Sequence, residues 1–111
     1  MPASPNLLGG TAGYPCSIYS AGGSDNSTFL VPTVRFMYMS NLVLHSNPAN
    51  SADRTAYGVH IMDGELWMVN CIMGGFQMAS VYAENTDVYL FSTQPPVLLS
   101  SKLNQLMFWI L

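Results

Sequence analysis

Tyr57-Gly-Val-His-Ile-Met-Asp-Gly-Glu-Leu-Trp-Met-Val-Asn70 is followed, 22 residues on, by Ala79-Ser-Val-Tyr-Ala-Glu-Asn-Thr-Asp-Val-Tyr-Leu-Phe-Ser92. Laid over each other without a gap, Val59 meets Val81, Ile61 meets Ala83, Asp63 meets Asn85 and Glu65 meets Asp87. Leu66 then meets Val88, Trp67 meets Tyr89, Met68 meets Leu90 and Asn70 meets Ser92. A step of 24 in place of 22 adds a third copy, setting Asn41-Leu-Val-Leu-His-Ser46 over Glu65-Leu-Trp-Met-Val-Asn70. The extra length falls in the polar stretch 47–55. A self-similar period of this size marks a stacked repeat.

One copy shows which kind. Leu66, Met68 and Asn70 alternate with Trp67 and Val69, as Val88, Leu90 and Ser92 do with Tyr89 and Phe91. A period of two puts the first set on one face of a strand and the second on the other. A shorter strand precedes each, at Gly58–Ile61 and Ser80–Ala83, followed by a polar corner. A helical repeat would need apolar residues at i, i+3, i+4 and i+7, and Gly58, Gly64, Gly74 and Gly75 interrupt any such run. Strands and corners recurring on this period read as coils of a parallel solenoid.

Three pieces carry a family resemblance: Asn41-Leu-Val-Leu-His-Ser, Gly64-Glu-Leu-Trp-Met-Val-Asn-Cys-Ile-Met-Gly-Gly and Thr86-Asp-Val-Tyr-Leu-Phe-Ser. They resemble the rungs of right-handed parallel β-helix proteins, the group of pectate lyases and of bacteriophage tailspikes and tail fibres. The resemblance covers roughly half the chain and implies an all-β, right-handed parallel β-helix of about three to four short coils. It speaks to fold far more than to function, because a rung pattern contains no catalytic group of its own.

Composition narrows the function classes. The 111 residues suffice for one domain or a piece of one. Charged residues make up 8% of the chain, against about 25% in an average soluble domain. Half the residues are hydrophobic, yet no run reaches the roughly 20 apolar residues of a membrane-spanning helix. Missing charge with abundant apolar surface implies faces covered by other subunits. A net charge of −3 with only Arg35, Arg54 and Lys102 as basic residues argues against nucleic acid as a partner, which needs clustered Lys and Arg. Met1-Pro-Ala-Ser-Pro5 has neither a basic segment nor an apolar core, so no secretory signal is expected. Asn26-Ser-Thr28 therefore reads as a chance match to a glycosylation acceptor. Cys16 and Cys71 lie far apart, in no metal-ligand spacing, and read as free thiols. No cofactor motif appears.

Residues 1–28, rich in Pro, Gly, Ser and Asn, read as an irregular N-terminal arm, a composition that favours turns over packed structure. Residues 29–97 are the coils. Phe36-Met-Tyr-Met39 reads as the strand entering the first of them, with Pro32 at a strand start or an edge. The polar loop 46–55 is a candidate recognition loop, since loops leaving a rigid scaffold commonly carry binding. Gln94-Pro-Pro-Val97 stops the repeat. Residues 98–111 form an apolar capping or assembly segment. Its Leu103, Leu106, Met107 and Ile110 have helical spacing, whereas a further step of 22 takes Val81 to Leu103 and Val88 to Ile110 as another strand. The aromatic and β-branched run Phe108-Trp-Ile-Leu111 favours strand.

Stacking defines the candidate site residues. Equivalent positions on adjacent parallel strands lie about 4.8 Å apart, which puts Glu65 beside Asp87 and Asp63 beside Asn85, with Glu84 nearby. A retaining glycosidase uses a carboxyl pair about 5–5.5 Å apart, and calcium is held by carboxylate oxygens. Glu65, Asp87 and Glu84 are therefore the candidate catalytic or cation-binding group, although like-charged corner residues facing water need no function. No metal motif is present. His60 over Tyr82 and Trp67 over Tyr89 form an outward face suited to a cell-surface glycan or a subunit contact. Val69, Phe91, Phe108 and Trp109 are the candidate assembly residues, and Asn70 over Ser92 and Ser46 is expected as an inward polar ladder.

The resemblance sets these together as a non-enzymatic structural or adhesive virion component of the tail-fibre, tailspike or decoration type. It implies a homotrimer contacting other virion proteins, located in the virion or outside the cell and attaching to a host. The open alternatives are a β-helix polysaccharide-degrading enzyme and a subunit of a self-assembling extracellular filament.

Overall fold

A computed structural model describes residues 6–8, 10–11, 14–91, 93 and 98–109 of the chain, with side chains at 16–91 and 93. Those residues are mostly strand. In chain order they are β1 (Asn6–Leu8), β2 (Gly10–Thr11), β3 (Tyr14–Tyr19), β4 (Ser27–Val31), β5 (Met37–Ser40), β6 (Leu42–His45), β7 (Tyr57–Ile61), β8 (Gly64–Val69), β9 (Ile72–Gly74), β10 (Ala79–Phe91) and β11 (Leu98–Trp109). One 3₁₀ turn, Ser51–Asp53, interrupts them. The fold is all-β.

Seven strands form one sheet and four form another. The larger sheet has two ladders because β10 pairs with β7 along its first half and with β8 along its second. On the far side of β7 lies β4, and on the far side of β8 lie β5 and then β1. β11 runs beside β10 from Val81 to Phe91. The second sheet stacks β3, β6 and β9. All these pairings are parallel; only the short β2–β3 contact is antiparallel.

Register explains the core. Val59 lies beside Val81 and Ile61 beside Ala83, while Leu66 lies beside Val88 and Met68 beside Leu90. All eight are buried, most of them completely. The earlier strands continue the same columns, Met37 beside Leu66 and Met39 beside Met68. Pleating sends every second side chain inward, so one choice of register buries the whole apolar set. Each large aliphatic side chain buried this way is worth about 1.5–3 kcal/mol.

Corners are made by residues with left-handed backbone. Asn41 (φ 55°) turns β5 into β6, Asn70 (φ 56°) turns β8 into β9, and Asn85 (φ 46°) bends β10. Asparagine tolerates this conformation better than other residues with a Cβ. Gly75 (φ 81°) lies so close to the Ser46 carbonyl that a Cβ there would run into it. Behind that corner sits a hydroxyl cluster. Ser46 Oγ donates to the Ser20 carbonyl at 2.8 Å and accepts from the Thr55 amide at 2.8 Å. Thr55 Oγ1 and Thr28 Oγ1 both donate to Ser20 Oγ at 2.9 Å. Ser46 and Thr55 are buried, so the loop between them is anchored at both ends while 49–53 stand exposed.

The step between copies departs from expectation in three places. The third copy lies 29 residues before β8, not 24, because Asn41 corresponds to Asn70. Met37–Ser40, and not Leu42–His45, is consequently the strand beside β8. Asn70 is exposed and its Nδ2 donates to Asn41 Oδ1 at 3.3 Å, so it is no inward ladder over Ser46; Ser92 lies outside the described residues. Second, the region expected as an irregular arm supplies β1 and β3, each paired in parallel with the next copy. Short runs such as Asn6–Leu8 suffice for strands when a neighbour supplies the hydrogen bonds. Third, residues 98–109 are strand, but Val81 faces Leu98 and Val88 faces Leu106, a shorter step than 22, with register shifts between Ala83 and Asp87. Pro32 follows β4, the edge strand of the larger sheet, so of the two placements expected for it the edge is the one found.

Cys16 is exposed, Cys71 is buried, and both are free thiols. Burial pushes the Cys71 thiol above its ordinary value of 9.0, opposed by backbone hydrogen bonds at Leu42 and Val69. Its Sγ donates to the Val69 and Met39 carbonyls at 3.5 and 3.6 Å.

Three outcomes are expected. Leu66→Ala should lower unfolding free energy by about 2–5 kcal/mol in a denaturant titration, whereas Ile72→Ala, exposed on β9, should stay within about 0.5 kcal/mol. Gly75→Ala should cost clearly more than Gly74→Ala, where a Cβ makes only ordinary contact with the His45 ring at 3.5 Å. A thiol whose folded pKa is raised stabilises the fold below the unfolded value and loses that contribution as pH rises past it. Stability should therefore fall above pH 9.0, less steeply in Cys71→Ala, and a thiol reagent should label Cys16 in the native protein and Cys71 only on unfolding.

Candidate functional site

The outward positions of the larger sheet carry the chemistry. On the β4–β7–β10 ladder, His60 lies beside Tyr82, their rings stacked with centroids 4.5 Å apart and planes 17° from parallel. Tyr57 meets the Tyr82 ring edge-on at 5.1 Å. His60 Nε2 lies 2.7 Å from Glu84 Oε2. Leu30 continues the column on the other side of His60 and is 60% exposed.

On the β5–β8–β10 ladder, Trp67 lies beside Tyr89, stacked at 4.3 Å and 20°. Phe91 also lies parallel to the indole, at 5.5 Å. Aromatic pairs of this kind are worth about 0.5–1.5 kcal/mol beyond the area they bury. Trp67 Nε1 donates to Glu65 Oε2 at 3.0 Å, and Asp87 is the register neighbour of Glu65. Lost hydration raises the Tyr89 hydroxyl pKa, helped by the Asp87 and Glu65 charges. On the β5 side of Trp67, a groove of about 380 Å³ is lined by Phe36, Tyr38, Glu65 and Trp67.

The structure thus brings together most of the expected residues. Trp67 with Tyr89 and His60 with Tyr82 stack as the repeat predicts, Glu65 lies beside Asp87, and Asn85 Nδ2 donates to Asp63 Oδ1 at 2.7 Å. Val69 and Phe91 are register partners, both half-buried. Glu84 does not join the other carboxylates, because its side chain turns to His60. Phe108 and Trp109 lie on β11 opposite Leu90 and Phe91; their side chains lie outside the described residues. No group of three or more His, Cys, Asp or Glu side chains among the described residues is placed to hold a metal.

Two groove residues, Phe36 and Tyr38, escape a reading of the sequence that starts from a step of 24. The signal was present: Met37-Tyr-Met39 before Asn41 has the pattern of Leu66-Trp-Met68 before Asn70. No protein-family model matches the chain, and no curated protein or solved structure matches it. Its chemistry has to be argued from its own residues.

Proposed function

We propose that the chain is a stacked scaffold of the right-handed β-helix type, acting as a structural and adhesive part of a larger assembly. The observation that carries this reading is the pair of outward aromatic ladders, Trp67–Tyr89–Phe91 and Tyr57–Tyr82–His60, half-exposed on a fold whose interior is closed. Stacked rings held on paired strands are rigid and lose little entropy on contact, which suits recognition. Low charge and the exposed Leu30, Met62, Ile72 and Met78 support self-association. In this proposal a homotrimer packs through the register partners Val69 and Phe91 on β8 and β10, leaving Trp67, Tyr89, His60 and Tyr82 toward an outside partner such as a cell-surface glycan. The bacteriophage fibre or tailspike setting, the virion location and the right-handed winding rest on the rung resemblance alone.

One observation favours an enzyme instead, namely the adjacency of Glu65 and Asp87. Against it, Glu65 is tied to the Trp67 indole and Glu84 to His60, and neither Arg35 nor Arg54 lines the groove beside Glu65. Polysaccharide hydrolysis that disappears in both Glu65→Gln and Asp87→Asn would decide for the enzyme.

Light scattering behind size exclusion tests the assembly. A trimer is expected, and Val69→Asp should reduce it to a monomer that keeps its strand circular dichroism. A wild-type chain that stays monomeric at its highest soluble concentration overturns the proposal.

A further inference from the structure

Trp67 is clad on one side only by the rings of the following copy. Tyr89 and Phe91, both on β10, lie parallel to it. β5 lies on the opposite side of β8, with Tyr38 as the register neighbour of Trp67. The groove of about 380 Å³ opens on that side, between the Phe36, Tyr38 and Trp67 rings, with the Glu65 carboxylate as the charged group in its lining. The carboxylate is positioned, since Glu65 Oε2 accepts from the indole Nε1 at 3.0 Å. Asp87 beside it on β10 adds a second negative charge, and no basic residue among the described residues lines the groove.

We infer that this groove binds a small organic cation, specifically a quaternary ammonium group such as a choline headgroup. Aromatic faces attract a cation through their quadrupole, and a methylated ammonium, weakly hydrated and apolar on its outside, is the cation that such rings hold best. Three rings supply the apolar walls, and Glu65 and Asp87 supply the complementary charge. An anionic ligand meets the Glu65 carboxylate there, with the Asp87 charge one strand beyond it. A neutral sugar gains the ring contacts but nothing from the charge. The assignment builds on the contact role proposed for Trp67 and names its ligand class, and the two fail separately, because oligomeric mass and cation binding are independent measurements.

The test uses Trp109→Phe as the parent, leaving Trp67 as the only indole of the two in the chain. Its emission is followed while choline chloride is added at constant ionic strength. The comparison ligand is choline's neutral isostere, in which a tert-butyl group replaces trimethylammonium. Choline is expected to give a saturable change and to bind about tenfold or more tightly than the isostere. Glu65→Gln, which keeps the side-chain shape, should weaken choline about tenfold and leave the isostere unchanged. Tyr38→Leu should weaken choline as well, with circular dichroism confirming that each variant is folded. Equal binding of choline and isostere, no saturable change with choline, or unaltered choline binding in folded Glu65→Gln overturns the inference.

Discussion

Parallel backbone pairing in register is the constraint on which everything else in this molecule depends. Once Leu66 is hydrogen-bonded into line with Val88 and Met37, every other position on those strands has its neighbours assigned. Pleating then sorts the columns into inner and outer sets. The inner columns of Val, Ile, Leu and Met form the core. The outer columns collect like with like, so that rings stack on rings and Glu65 comes to lie beside Asp87. A register slip of one residue would bring Trp67 and Tyr89 inside and turn Leu66 and Val88 outward, which the burial of the aliphatic set forbids.

Corners give this regularity its tolerance. The copies differ in length, yet the ladders remain aligned because the difference is absorbed between strands. The longest insertion lies between Ser46 and Thr55, and its ends are fixed by hydroxyls bonded to Ser20. Thr93 serves the corner after β8, its hydroxyl accepting from the Cys71 amide at 3.4 Å and donating to the Met68 carbonyl at 3.0 Å. Small polar side chains serve here because they replace, within the fold, the hydrogen bonds that a turning backbone would otherwise lose.

The outer surface has an unusual balance. Strands paired on both sides need no charged side chains for their own folding, and the chain carries few. What remains outside is aromatic and aliphatic, with carboxylates at a few columns. That combination makes the two outward ladders of the larger sheet unlike each other. His60 Nε2 lies 2.7 Å from Glu84 Oε2 beside Tyr57 and Tyr82, whereas Glu65 and Asp87 set two carboxylates side by side next to Trp67. The distinction between a contact surface and a cation-binding groove rests on that difference.

How far the fold was legible depended on which residues carried the information. The alternation of Leu66, Met68, Val88 and Leu90, and the ungapped step between those two copies, determined all-β structure, the register of β8 on β10 and the stacking of Trp67 on Tyr89. Local pattern was enough there, because side chains of one type recur at one spacing. The strands supplied by Asn6–Leu8 and Tyr14–Tyr19 were not legible, since so short a run becomes a strand only when a neighbouring strand satisfies its backbone. Nor was the step of 29, where Leu42-Val-Leu44 and Met37-Tyr-Met39 alternate equally well and only pairing across space chooses between them. The groove beside Trp67 depends on that choice. Sequence could name the rings; the tertiary structure alone decided which of them face each other, because the length of the turns between strands is not written in the alternation along them.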